Sequence, residues 1–553
     1  MAMGSREIFN SVRGYYETKN HYSTRRDSKN GFASRGTTRR EESLMELTAN
    51  YQRNFGNHDL KGLLGYSWRE TNHEDYWMQN WDFPSDDFSY NNIGAGLALS
   101  RGEAPQNSYQ SSNRLIGYFF RLNYAYKNRY LLMASIRREG SSKFGRNNKY
   151  GNFPAISAGW NIKNEGFLMD NQVLSTLKLR ASFGITGTEP ETPYLSLNRL
   201  NFDSNALLNG VWSQVVNVSS NANPNLRWER KQETNLGLDF GFWNNRLTGS
   251  IDLYQRKTND LLFDYSVPTP PYLYNRIRAN AASMENKGVE VQLNYSPIMH
   301  EKFQWNSSIN YSTNRNKLLS LSDKSFQLAA GYFDAGTTEE PIQQPLTRIQ
   351  IGQPIGNFYG YKSVDIDENG YWIIEGKDGK PKPIADQKAE DKQIIGNGLP
   401  KHYLNFNNNF KYGNFDLGIS MRGAFGFDIL NLPQMFYSAP VMLTRGNILA
   451  NSYDKIYGKR PLADDQSLNY LSYYIEKGDY WKIDNVTLGY RLNFNQSKIK
   501  SMRLYLSGSN LVTITNYSGI DPETPIVGLT PGVDERDRYP SSRTFTLGAS
   551  LTF

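Results

Sequence analysis

The stretch from Arg543 to Phe553, where the chain ends, constrains the fold more than any other. Phe553, Leu551, Ala549, Leu547 and Phe545 are apolar, while Thr552, Ser550, Gly548, Thr546 and Thr544 are small or polar. Strict alternation of this kind needs an extended strand with one oily and one wet face, because successive side chains point to opposite sides. A last strand closing on an aromatic residue fits a membrane barrel, in which Phe545, Leu547, Leu551 and Phe553 would form an assembly signal. An edge strand of a soluble sheet would alternate in the same way, so this segment alone leaves both readings open.

The pattern recurs along the chain. Leu177, Leu179 and Phe183 oppose Lys178, Arg180 and Ser182; Leu236, Leu238 and Phe240 oppose Gly237, Asp239 and Gly241. Ile251 and Leu253 oppose Ser250 and Asp252, and Val289 and Val291 oppose Glu290 and Gln292. Leu417, Ile419 and Met421 oppose Asp416, Ser420 and Arg422, and Val486, Leu488 and Tyr490 oppose Thr487, Gly489 and Arg491. A barrel would turn the apolar sets to lipid and direct Arg180, Asp239, Asp252, Glu290, Arg422, Arg491 and Arg503 into its lumen. Connection lengths separate this from a soluble sandwich. Short turns are expected near Gly56-Asn57, Lys127-Asn128, Asn244-Asn245, Gly413-Asn414 and Asn495 to Lys500. Long loops are expected near 72–112, 187–228, 261–282, 318–400, 428–477 and 515–540. Short turns on one rim and long loops on the other mark an outer-membrane barrel. Tyr124, Tyr126, Tyr130, Phe242, Trp243, Tyr412 and Phe415 flank the short turns, where an interfacial aromatic girdle belongs. The reading is an all-β chain over 1–553, an antiparallel transmembrane β-barrel of roughly 16 strands of about 10–15 residues, starting near Val12 to Tyr22.

Composition agrees. The 553 residues hold 37 Tyr, 28 Phe and 10 Trp, yet no apolar run is long enough for a spanning helix. Cysteine is absent, which removes disulfides, thiolate metal sites and cysteine nucleophiles. The net charge of +8 is scattered rather than gathered into a stripe, so nucleic acid is not an expected partner. Met1 to Asn10 show no secretory signal.

Several motifs resemble the SusC/RagA family of TonB-dependent outer-membrane transporters of Bacteroidetes-type bacteria. They are Tyr130-Leu-Leu-Met-Ala-Ser-Ile-Arg-Arg-Glu-Gly-Ser-Ser-Lys-Phe-Gly145, Asn223-Pro-Asn-Leu-Arg-Trp-Glu229, Met284-Glu-Asn-Lys-Gly-Val-Glu290, Gly352-Gln-Pro-Ile-Gly356, Tyr480-Trp-Lys-Ile-Asp-Asn-Val-Thr-Leu-Gly-Tyr490 and Arg543-Thr-Phe-Thr-Leu-Gly548. The resemblance implies a barrel of about 22 strands filled by an N-terminal plug. It also implies a SusD-like surface lipoprotein as lid, energy from the TonB complex, and an oligosaccharide or oligopeptide as cargo. No plug-like segment or TonB box precedes the first expected strand. The expectation is therefore the C-terminal barrel part of such a transporter, with a plug-less passive porin or a loop-mediated surface binding protein as the alternative.

No catalytic constellation stands out. None of the five histidines makes an HExxH or paired metal spacing, and no GxSxG elbow or P-loop occurs. The chain is not expected to be an enzyme or to carry a cofactor. Asp365, Asp367 and Asn369 before Gly370 resemble the start of a calcium loop, but Gly376 stands where the bidentate Glu is needed, leaving a weak calcium candidate against a surface turn. Trp77, Trp81, Trp212 and Trp372 fall in expected long loops and are candidates for stacking on sugar rings. The other reading is that they pack the loops or meet the lipoprotein.

Overall fold

The computed structural model describes the whole chain except residues 323–327, 329 and 495–497 and the side chain of Asp203. Sixteen strands form one antiparallel sheet in sequence order. They are β1 (Ala2–Glu17), β2 (Phe32–Phe55), β3 (His58–Trp81), β4 (Gln106–Tyr126), β5 (Tyr130–Ser141), β6 (Tyr150–Asn161), β7 (Leu174–Thr188) and β8 (Glu229–Phe242). Then follow β9 (Leu247–Ser266), β10 (Arg276–Met299), β11 (Phe303–Ser320), β12 (His402–Tyr412), β13 (Phe415–Phe425), β14 (Tyr480–Asn493), β15 (Ser501–Thr515) and β16 (Thr544–Thr552). β1 and β16 are the two edges of the sheet and are not paired with each other among the described residues. None of the described helices is long and apolar enough to cross a membrane.

The register explains the two faces. Ala181, Leu236, Leu253 and Val289 align across β7 to β10, and Leu417, Leu488, Leu506 and Leu547 align across β13 to β16. These rows stay exposed, Leu506 at 52% and Leu547 at 82%. Contiguous exposed apolar surface on this scale requires a covering, and for a sheet of this pattern lipid is that covering. Phe545 and Leu551 lie on the same face of β16, opposite Gly508 and Met502. The expected short turns at Gly56-Asn57, Lys127-Asn128, Asn244-Asn245 and Gly413-Asn414 all lie on one rim. Of the turn from Asn495 to Lys500, residues 495–497 lie outside the described residues. Rings gather at this rim: His58 Nδ1 is 2.8 Å from Tyr124 Oη, and Phe415 lies 4.7 Å from Tyr490 between ring centroids.

The strands are longer than expected, reaching 24 residues in β2, β3 and β10. A bilayer needs only about 9–11. The surplus rises above the membrane and carries charge on both faces, as at Arg39-Arg40-Glu41-Glu42, so it lacks the amphipathic signature of a span. Residues 72–81 and 106–112 are therefore strand, and the loop expected over 72–112 is confined to 82–105. The loop expected over 261–282 is likewise confined to 267–275. The first strand is Ala2–Glu17 rather than Val12 to Tyr22.

The largest apolar core lies above the sheet. Segments 330–401 and 426–479 fold over one another around Phe358, Trp372, Ile374, Leu430, Phe436 and Tyr470, all at 1% exposure or less. Tyr470 Oη donates to Leu346 O at 2.8 Å. The long connections are thus a packed extracellular unit. The connection between β7 and β8 instead carries a two-stranded hairpin, Arg199–Leu208 with Val211–Ser220.

Candidate functional site

The polar face of the sheet is built from charges that answer one another across strands. Arg180 on β7 and Asp252 on β9 both stand opposite Gly237 on the strand between them. The guanidinium lies flat over that glycine, its Nε and Nη2 donating to Asp239 at 2.9 and 2.8 Å and its Nη1 and Nη2 to Asp252 at 3.0 Å each. A Cβ at Gly237 would stand 2.5 Å from Arg180 Cζ, so only glycine admits the crossing. The arrangement recurs on β13 to β15. Arg503 Nε donates to Asp416 at 2.9 Å, and a Cβ at Gly489 would meet both side chains at 2.6 Å. Bidentate guanidinium–carboxylate geometry is the strong form of an ion pair. Glu290 and Arg491, by contrast, make no ion pair among the described residues; Glu290 stands opposite Asp252, and Arg491 opposite Arg503.

Arg422 does something different. It reaches off the wall to Glu523 in the connection 516–543 and to Asp484 at 3.0 Å. Beside it Lys482, only 2% exposed, donates to Asp521 Oδ1 and Oδ2 at 2.8 and 3.0 Å and to Glu523 Oε2 at 3.0 Å. Ser541 donates to Asp521 Oδ2 at 2.7 Å. Burial alone would raise both carboxyls, but Lys482, Ser541 and the Glu523 N–H hold Asp521 below its usual value, and Arg422 with Lys482 does the same for Glu523. This connection is a strap over the top of β13 and β14. It is fixed a second time where Val533–Asp534 pairs with Asp428–Asn431. There Tyr517 Oη donates to Asp534 Oδ2 at 2.6 Å, and burial followed by that carboxylate pushes the phenol up. A cavity of about 400 Å³ remains under the strap, lined by Tyr403, Arg422, Phe427 and Tyr480.

The tryptophans divide. Trp77 is not in a loop but on β3, where it faces a cavity of about 380 Å³ with Arg13, Asp75 and Gln79. Trp81 ends β3 under the Lys29 ammonium, 4.4 Å from its ring. Trp212 lies on the hairpin, 71% exposed. Trp372 is 1% exposed within the extracellular core, with the Tyr473 ring at 5.0 Å, so it has no face to offer a sugar. The stretch Asp365 to Gly370 is a hairpin turn. Asp367 Oδ1 accepts from the N–H groups of Asn369 and Tyr371 at 2.9 Å, and Gly370 takes φ +90°. Asp365 pairs with Lys459, whose ammonium, with the Ile366 N–H, holds its carboxyl low. Among the described residues no three His, Cys, Asp or Glu side chains gather to hold a metal ion.

Lys482, Asp521 and Glu523 escaped the sequence reading for one reason. Below Asn485 the odd residues of β14 share the polar face, but a bulge between Ile483 and Asn485 reverses the parity. Lys482 then stands opposite Arg422 on the inner side. Alternation alone would have sent it to lipid.

The family described as TonB dependent receptor-like, beta-barrel, matches residues 5–511. TonB-dependent receptor P3 of Formosa agariphila is 31% identical over 94% of this chain and 53% of its own length. TonB-dependent receptor SusC of Bacteroides thetaiotaomicron is 32% identical over 81% of this chain and 44% of its own. Among solved structures, the RagAB peptide transporter superposes with a TM-score of 0.83 over 100% of this chain and 60% of that chain at 23% identity, a likeness of fold. The chain spans about half the length of the curated relatives it matches. Polar wall, alternating rims and these matches agree: the chain belongs to the TonB-dependent receptor β-barrel family of the outer membrane.

Proposed function

We propose that this chain supplies the barrel of an importer that takes oligomeric nutrients across the outer membrane by TonB-coupled gating, with glycan as the cargo class. Family membership over residues 5–511 is the observation that carries the reading. In this reading a SusD-like lipoprotein covers the extracellular unit, Trp77 and Trp212 offer ring faces to sugar, and the terminal stripe Phe545, Leu547, Leu551 and Phe553 guides assembly. The passive-porin alternative is disfavoured by the sheet itself, because unpaired backbone groups along β1 and β16 are costly in lipid. An uptake assay with the intact protein in its own host tests the proposal. Glycan uptake should stop when the gene is deleted and when a protonophore collapses the proton gradient. Flux that survives the protonophore supports the porin, and uptake of oligopeptides in place of glycans supports the cargo that the RagAB structures name for that protein.

A further inference from the structure

The extracellular rim carries cations that have no ion-pair partner among the described residues. Residues 193–199, at the foot of the hairpin, separate two cavities of about 510 and 220 Å³. Arg146, Lys149 and Tyr194 line the larger; Arg199, Arg276 and Arg278 line the smaller, with Tyr274 and a single carboxylate, Asp264. That carboxylate is taken by Arg278 Nη1 at 3.0 Å. Arg146, Lys149, Arg199 and Arg276 have no ion-pair partner among the described residues, and the buried Nε of Arg278 makes no hydrogen bond. Two neighbouring cations are matched, Arg227 with Asp260 and Lys143 with Glu189.

The walls of the smaller cavity are fixed. Asn221, 6% exposed, donates to Tyr274 O and Arg276 O at 2.6 and 2.8 Å and accepts from the N–H groups of Leu273 and Tyr274. Asn223, equally buried, donates to Arg278 O at 2.8 Å. Ser220 Oγ accepts from Arg199 Nε at 3.2 Å and holds that side chain at the mouth. Arg199 and Arg276 stay exposed at the mouth, the latter on backbone that these asparagines fix. Unmatched like charges lining one concavity raise the local concentration of counter-ions.

From this geometry we infer that the paired cavities bind the acidic groups, carboxylate or sulfate, of an anionic oligosaccharide at the entrance to the barrel. The inference rests on the importer reading and narrows its cargo. Height decides against a lipid headgroup. From Tyr295 at the short-turn rim to Arg276, β10 climbs for about 19 residues, about 45 Å at ~3.3 Å per residue and a tilt of ~45°. An apolar band ~25 Å tall ends well below that level. Charge and shape decide against a peptide. One carboxylate, already paired, leaves nothing to receive an amino terminus, whereas the Tyr194 and Tyr274 rings beside the cations suit a sugar face.

Calorimetric titration of the intact protein in nanodiscs tests the inference, with hexagalacturonate and a sulfated hexasaccharide as acidic probes and maltohexaose as the neutral one. At least one acidic probe should bind more tightly than maltohexaose and weaken as salt is raised. In R199A/R276A it should lose at least ten-fold in affinity, while R199K/R276K retains most of it. Heat-modifiable migration on gels reports whether each variant is folded. Equal affinity of a folded R199A/R276A for the acidic probes would overturn the inference. So would failure of the wild type to prefer either acidic probe, or a substitution effect seen only with a glutamate-rich peptide or with phosphate-bearing lipid. Protonophore-sensitive uptake of a neutral glycan, with binding indifferent to these arginines, would leave the importer reading intact and remove this one.

Discussion

Replacing Lys482 with Met should free one half of the strap and leave the other half in place. Lys482 is 2% exposed and its ammonium contacts three oxygens of two carboxylates, Asp521 at 7% side-chain exposure and Glu523 at 35%. Methionine keeps the volume but removes the charge, so Asp521 stays buried without its cation. Breaking a buried ion pair from one side costs about 3–5 kcal/mol. The lower figure applies here, because Glu523 is partly solvated and keeps Arg422 as a partner. About 3 kcal/mol is on the order of a 100-fold change in the opening equilibrium. Native-state hydrogen exchange resolved by mass spectrometry should therefore show residues 518–527 opening about 100-fold more often. Residues 529–536 should keep their protection, since Leu430 and Asn431 pair with Val533 and Asp534 and Thr347 Oγ1 donates to Leu529 O at 2.9 Å. Adding D521N to K482M should recover much of the loss, because the charge left unpaired is then gone. Unchanged exchange over 518–527 in K482M, or equal loosening of both segments, would refute the assignment of Lys482 as the pin.

The same network sets a pH response. The Asp521 and Glu523 carboxyls lie below their unfolded values, so their stabilisation is full above about pH 5 and drains away as pH falls through the lowered values; limited proteolysis should cut 518–527 faster on acidification and not on moderate alkalinisation. On the wall, G237L should displace the Arg180 guanidinium from Asp239 and Asp252 and cost about 1–3 kcal/mol, read as a lower urea midpoint for the refolded barrel. Its counterpart G489L should do the same through Arg503 and Asp416, and an unshifted midpoint in both would show that the crossings are incidental. In the extracellular unit W372A should cost about 3–5 kcal/mol of local stability and open that unit to protease, whereas W212A should change its stability by no more than about 0.5 kcal/mol.

Much of this fold was legible because a barrel wall repeats one rule. The rows through Leu236 and Leu488, the short turns, the girdle at Tyr124 and Phe415 and the terminal stripe all follow from period-two alternation and turn chemistry. Three kinds of feature were hidden, each where that rule stops applying. The upper halves of β2 and β3 stand in water on both faces, so no alternation survives to mark them as strand. Trp372 looked like a loop residue because it falls within a long connection, and its burial depends on Tyr470, Leu430 and Phe436 from distant segments. Lys482 was turned inward by a bulge that composition does not announce.

The structure also changes which charges can meet a passing molecule. From the sequence, Arg180, Asp239, Asp252, Arg422 and Arg503 stood as independent lumen residues. In the fold each has a carboxylate or guanidinium partner at hydrogen-bond distance, so moving any of them toward cargo would first break a bidentate or multidentate pair. Their contribution is to keep the wall polar yet locally neutral, which removes the long-range field that would otherwise hold a charged solute against it. Glu290 and Arg491 remain available on the wall, and Arg199 and Arg276 at the rim. Attraction is thereby concentrated at the mouth, because five of these seven wall charges are already matched. If the rim binds anionic oligomers as inferred above, neutralising Arg199 and Arg276 should slow capture while leaving passage unimpeded, read as a raised half-saturating concentration with an unchanged maximal uptake rate.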